Sequence, residues 1–265
     1  SFLGRLFFKV PVRDFHCGLR AFDRAAIRSL GLVCEGMEFA SEMVVKAALR
    51  GLTIAEVPTT LSPDGRDRPP HLRSWRDGWR HLRFLLLFSP NWLFVFPGLL
   101  LLAAGLLGEL VLLPGPLVLG KHAVDVHTML YCAGGAVMGF QLVLFGVMAK
   151  VFAVQQGVLP MSRGMRLFLE AFSVEAGLIT GVLLLVGGAA LSVGSVMAWN
   201  ASSGFMVFDP SVGMRMAIPA VTMLVLGMQL MFGSMFVGVL GLREHSRPVR
   251  LPRQQPLRRW KIRPG

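Results

Sequence analysis

Trp92-Leu93-Phe94-Val95-Phe96-Pro97-Gly98-Leu99-Leu100-Leu101-Leu102-Ala103-Ala104-Gly105-Leu106-Leu107-Gly108-Glu109-Leu110-Val111-Leu112-Leu113 decides the class of this chain. The run holds 22 residues and a single ionisable side chain, Glu109, before Pro114-Gly115-Pro116 ends it. At about 1.5 Å of rise per residue, roughly 20 apolar residues are needed to cross a bilayer. Residues 92–113 are therefore long enough to span one. Working outward, 128–153, 176–198 and 216–242 are three further runs of the same kind. The whole chain of 265 residues is 54% hydrophobic and only 16% charged, with mean hydropathy +0.60. A soluble domain is nearer 45–50% apolar with about a quarter of its residues charged. Disorder, collagen-like repeats and a soluble nucleic-acid-binding domain are excluded.

Charge is distributed in three blocks. Residues 1–90 carry a net +5, residues 91–242 a net 0, and residues 243–265 a net +7. Arg66, Arg68, Arg73, Arg76, Arg80 and Arg83 precede the first run; Lys150, Arg163 and Arg166 separate the second from the third; the remaining basic cluster is the tail 243–265. The other two connections hold only Lys121 and Arg215. The positive-inside rule then puts both termini and the middle loop in the cytoplasm, consistent with four spans. Within the spans Glu109, Gln141 and Gln229 are the polar positions. For the uncharged Gln residues, helix-to-helix hydrogen bonding is a better account than a transport path. Gly135-x-x-x-Gly139, Gly177-x-x-x-Gly181 and Ser234-x-x-x-Gly238 read as packing motifs within or between subunits, so a homo-oligomer is open. Cys17, Cys34 and Cys132 are too far apart for a disulfide framework or a cysteine metal site, and no metal ligand set is expected in this chain.

The first 70 residues differ in kind. Residues 17–22 read as a strand; Asp23 caps a helix over 24–30 that Gly31 ends; apolar positions at helical spacing continue over 37–50 until Gly51; residues 53–57 read as a second strand closed by Pro58. Strand, helix, helix, strand is a piece of an α/β domain, an α/β remnant without a Gly-rich nucleotide loop or an Asp-x-Asp. Residues 71–91 follow as an amphipathic juxtamembrane helix. Leu72, Trp75, Trp79, Leu82 and Leu86 recur at spacings of 3 and 4, with Arg73, Arg76, Arg80 and Arg83 one residue later. A Trp/Leu stripe beside an Arg stripe suits a helix in the headgroup plane, with Trp75 and Trp79 in the membrane interface and anionic lipids as its partner. The alternative is a helix packed on the soluble piece.

Asp14-Phe15-His16-Cys17-Gly18-Leu19-Arg20-Ala21-Phe22, Gly36-Met37-Glu38-Phe39-Ala40-Ser41-Glu42-Met43 and Ile54-Ala55-Glu56-Val57-Pro58, in this order, resemble the C-terminal half of family 2 glycosyltransferases. The closest branch is the polyprenyl-phosphate glycosyltransferases, relatives of dolichol-phosphate mannose synthase and the bactoprenol glucosyltransferases. The resemblance covers about residues 1–95; beyond them only the arrangement of spans matches. It implies the C-terminal part of a GT-A domain over 1–70, four transmembrane helices over 92–242 and a basic tail over 243–265. It further implies inverting transfer of a hexose from a nucleotide sugar to a polyprenyl phosphate at the cytoplasmic face of a bacterial inner membrane. The divalent metal of the family, magnesium or manganese, and the nucleotide sugar would be held by an Asp-x-Asp half expected ahead of Ser1, so this chain alone is expected to be inactive.

By the same resemblance Asp14 is the carboxylate of the catalytic centre. Cys17 stands where the family usually has Ser. Arg pairs N–H donors with phosphate oxygens, so Arg20, Arg66, Arg68, His71 and Arg73 are the phosphate candidates. Glu38 and Glu42, four apart on one helix face, are candidates for the acceptor pocket, with a solvated face as the alternative. For Arg20 the alternative is a structural pair with Asp14 or Glu42, for Asp14 a turn cap, and for Arg66–Arg73 a solvated loop. A rival for the whole chain is a non-catalytic membrane module that anchors a partner enzyme.

Overall fold

The computed structural model describes residues 1–8, 10, 12–32, 34, 36, 38–60, 74–156, 159–171, 173–201 and 210–241. Among the described residues four helices precede the membrane block: α1 (Phe2–Phe8), α2 (Arg24–Ser29), α3 (Glu38–Leu49) and α4 (Ser74–Leu87). Asp23 caps α2 as its sequence suggested, its Oδ1 accepting the Ala26 N–H at 2.8 Å. Gly31 and Gly51 follow α2 and α3 at φ +57° and +69°, the left-handed geometry that ends helices.

The two strands expected over 17–22 and 53–57 do not form; both segments are irregular. A strand exists through its ladder partner. Among the described residues the only ladder pairs 117–119 with 122–124, and neither segment takes part in it. The piece is held instead by a core of Val10, Val12, Phe15, Val44, Val45, Phe84 and Leu85, to which α1, the 10–15 segment, α3 and α4 all contribute. A second cluster, Leu30, Met43 and Ala47, seats α2 on the other side of α3. The α4 helix is thus divided along its length. Phe84 and Leu85 are buried in this core, while Trp75 is 89% and Trp79 58% exposed.

Among the described residues four helices are long and apolar enough to cross a membrane: Asn91–Leu112, Val126–Gln155, Val174–Ala201 and Ser211–Leu240. They fall where the four runs were read. The first opens with a π-helical turn, Asn91–Val95, and continues as α5 (Phe96–Leu112). Pro97 has no N–H to give the Leu93 carbonyl, and the wider turn precedes it. A hairpin of β1 (Leu117–Leu119) and β2 (His122–Val124) follows, turning at Gly120-Lys121 with Gly120 at φ +63°; the sequence reading had only a loop there. The remaining helices are α6 (Val126–Gln155), a short α7 (Arg163–Ala171) in the basic loop, α8 (Val174–Ala201) and α9 (Pro210–Gly241).

The block is two antiparallel helix pairs, α5 with α6 and α8 with α9, joined mainly through α6 and α9. Both pairs have the same seam. A Cβ on Gly98 would come 2.8 Å from the Gly139 carbonyl, and Gly105 faces Cys132 and Ala136. In the second pair a Cβ on Gly181 would come 2.9 Å from the Gly227 carbonyl, and one on Gly188 2.8 Å from that of Ala220. Gly98 and Gly105, like Gly181 and Gly188, are two helical turns apart, so each seam is one face of one helix. Gly139 and Gly181 therefore do pack, as expected, but their partners are glycines outside the motifs read from sequence. Gly135 has room around it. Beyond the seams Arg215 ties α9 to the first pair, donating to the Leu112 carbonyl at 2.6 Å and pairing with Asp125. Glu109 accepts a hydrogen bond from Thr222 at 2.7 Å beside a cavity of about 470 Å³ between the pairs.

Candidate functional site

The segment Asp14–Arg20 lies on α3, with α4 against its edge, and side chains supply the bonds that no strand ladder makes. Arg20 reaches under the loop. Its Nε donates to the Cys17 carbonyl (2.8 Å), Nη2 to Phe15 (2.6 Å) and Nη1 to Ala40 on α3 (2.7 Å). Of five guanidinium N–H groups, at least three are thus committed to main-chain oxygens. The pairing with Asp14 or Glu42 held open above is not what Arg20 makes. From below, the Glu56 carboxylate accepts the N–H groups of Arg13 (2.7 Å) and Asp14 (3.1 Å). The 54–58 segment therefore meets the 12–22 segment through a side chain, not through a ladder.

Asp14 is exposed, and its Oδ1 accepts the His16 N–H at 2.8 Å, an Asx-type turn. The capping alternative thus describes one oxygen of Asp14; the carboxylate still opens to solvent. Glu38 and Glu42 share α3 but not an environment. Glu42 is fully buried, pairs with Lys46 at 2.6 Å and accepts the Cys34 N–H at 2.8 Å, while Lys46 donates to the Gly31 carbonyl at 2.7 Å. A buried, paired carboxylate cannot line an open acceptor pocket, which corrects that expectation for Glu42. Glu38 is half-buried at the first turn of α3. Burial, then the Glu42 carboxylate, pushes the Cys34 thiol up from its ordinary value. Arg66, Arg68, His71 and Arg73 lie outside the described residues.

Two histidines complete the site, and neither was singled out from the sequence. His16 and His81 face each other with ring centroids 4.4 Å apart, and His81 Nε2 lies 2.8 Å from Oγ of the fully buried Ser41. Partial burial lowers the pKa of both from the ordinary value. His16 sits inside the quoted signature and was legible there. His81 belongs to neither stripe of α4, and only the docking of α4 on α3 brings it in. Among the described residues no three His, Cys, Asp or Glu side chains are grouped as metal ligands require. The residues around Asp14 therefore do not fit a divalent metal by themselves.

Residues 147–241 match the C-terminal transmembrane region of glycosyltransferase family 2. The chain is 36% identical over 242 residues to the low-salt glycan biosynthesis hexosyltransferase Agl6 of Haloferax volcanii, an alignment covering 89% of this chain and 55% of Agl6. It is 32% identical over 147 residues to glycosyltransferase AglJ of the same organism, covering 52% of this chain and 46% of AglJ. The chain spans about half the length of the curated relatives it matches. No solved structure matches. Together with the four apolar helices, these similarities support an integral membrane protein whose residues 147–241 match the C-terminal transmembrane region of glycosyltransferase family 2.

Proposed function

We propose that a chain carrying the family 2 transmembrane region at residues 147–241 is the acceptor-side portion of a hexosyltransferase that moves a sugar from a nucleotide sugar to a polyprenyl phosphate. The donor and its divalent metal would be bound by a further α/β half, and both termini would be cytoplasmic. One observation supports this reading above others: the signature loop Asp14–Arg20 is bonded to α3, and α3 shares a core with α4, which leads within a few residues into the first span. A loop so fixed beside the bilayer suits an acceptor whose reactive group stays at the membrane surface.

The chemistry makes modest demands. A phosphate oxygen attacks the anomeric carbon, a new C–O bond forms, and the bond to the nucleoside diphosphate breaks with inversion. The attacking oxygen is already ionised near neutral pH, so alignment and charge compensation matter more than a strong base. In this reading Asp14 is the carboxylate of the catalytic centre, orienting the acceptor, and Arg20 holds the loop that carries it. Arg66, Arg68, His71 and Arg73 would add positive charge around the phosphate, and Trp75 and Trp79 would seat the start of α4 among anionic headgroups. In a protein that includes the donor-binding half, Asp14→Asn lowers transfer on the order of 10²-fold while membrane insertion is unchanged. Full transfer by Asp14→Asn, measured with radiolabelled donor and extracted lipid product, would remove this motif from the catalytic centre.

A further inference from the structure

Three elements meet at the His16–His81 contact. His16 comes from the signature loop, its main chain pinned by Asp14. His81 comes from α4, and Ser41 of α3 holds its Nε2. The ring planes are tilted by 57° and are 4.4 Å apart between centroids, close enough for one small ligand to touch both. Beneath them the half-buried Arg20 guanidinium bonds neutral carbonyls of Phe15, Cys17 and Ala40. Carbonyl oxygens satisfy its donors but leave its unit charge uncompensated, which favours an anion nearby. Arg80 and Arg83 add exposed positive charge on α4.

We propose that His16 and His81, with Ser41 orienting the second ring, form a site for the phosphoryl headgroup of a membrane lipid. The inference rests on the reading of the acceptor as a lipid phosphate and names the residues that touch it. The groups facing the pair balance in a way that suits a ligand-dependent site. Burial is the first cause lowering both rings; the Ser1 amino group lowers both as well, Arg20 acts in the same direction on His16 and His16 on His81, while Asp14 favours the charged form of His16 and Glu38 that of His81. Two adjacent imidazolium ions repel each other. A phosphate touching the edges of both rings offsets that repulsion, so binding draws a proton from solution onto each ring and gives the anion two charged N–H donors. His81 is ten residues ahead of Asn91, about 15 Å along a helical path, so a headgroup at the pair stays near the bilayer surface.

The test is imidazole NMR of the full chain in nonionic detergent, titrated with pH in the presence of farnesyl phosphate, farnesol or inorganic phosphate. Farnesyl phosphate is expected to raise the titration midpoints of both His16 and His81 by about one pH unit, tenfold in proton affinity. Farnesol leaves them in place, and inorganic phosphate at equal concentration acts more weakly. His81→Gln, checked for unchanged helicity, loses the response at His16 and binds farnesyl phosphate about tenfold less tightly, the change in Kd that 1.4 kcal/mol represents. Midpoints that stay fixed overturn the site; an equal response to farnesol or to inorganic phosphate overturns its assignment to a lipid phosphate. Transfer to polyprenyl phosphate by the longer protein with fixed midpoints would sink this pair alone. Shifted midpoints without such transfer would sink the acceptor reading and leave the pair as a lipid-phosphate site.

Discussion

The membrane block and the piece ahead of it meet the same backbone requirement by opposite means. From Asn91 to Leu240 the spans close their hydrogen bonds within each helix, and the helices touch through glycine, where close approach needs no side chain. In residues 12–60 the irregular segments are tied by charged side chains: Arg20 to three carbonyls, Glu56 to two amides, Glu42 to the Cys34 N–H and Lys46 to the Gly31 carbonyl. The first arrangement tolerates polar substitution poorly and fails by steric intrusion. The second fails by loss of single charges, because each one replaces several ladder bonds.

The largest effect is expected where the seams are tightest. Gly139→Leu drives a branched side chain into the α5 backbone and costs about 3 kcal/mol or more, seen as loss of monodisperse protein after detergent extraction. Gly134→Leu, on the same helix but in open space, is expected to leave the yield unchanged; equal behaviour of the two would refute the seam. Next, Glu42→Ala strands Lys46 and is expected to cost about 3–5 kcal/mol. Hydrogen exchange should rise across residues 24–50 while protection of the spans persists. If the spans lose protection equally, the two regions are one cooperative unit.

Arg20→Lys keeps the charge but cannot reach three carbonyls at once, so a loss of about 2 kcal/mol is expected, confined to exchange at residues 15–20 and the start of α3. A silent substitution would mean that the loop is held by Glu56 and Asp14 alone. The smallest change tests the boundary between the regions. Trp75→Ser with Trp79→Ser should weaken binding of a 66–90 peptide to anionic vesicles by about 1 kcal/mol. Unchanged binding would assign α4 wholly to the soluble core that already takes Phe84 and Leu85.

The sequence by itself determined the membrane block: its four spans follow from apolar length alone, because lipid offers the backbone no other partner than its own helix. It also determined local stops and caps such as Asp23, Gly31 and Gly51, whose reasons lie within four residues. The tertiary structure decided everything that depends on a distant partner. Residues 17–22 and 53–57 have strand-like composition, yet nothing in their own residues supplies a neighbour, and they are bound through Arg20 and Glu56. Glu38 and Glu42 share one helix face, yet only the second is fully buried, with the Cys34 N–H on its carboxylate. His81 is invisible on a helix read for its Trp and Arg stripes, since its meaning comes from Ser41 and His16, 40 and 65 residues away in the chain. A side chain's chemistry is local, but its solvation and its partners are set by packing, and those determine what it can do.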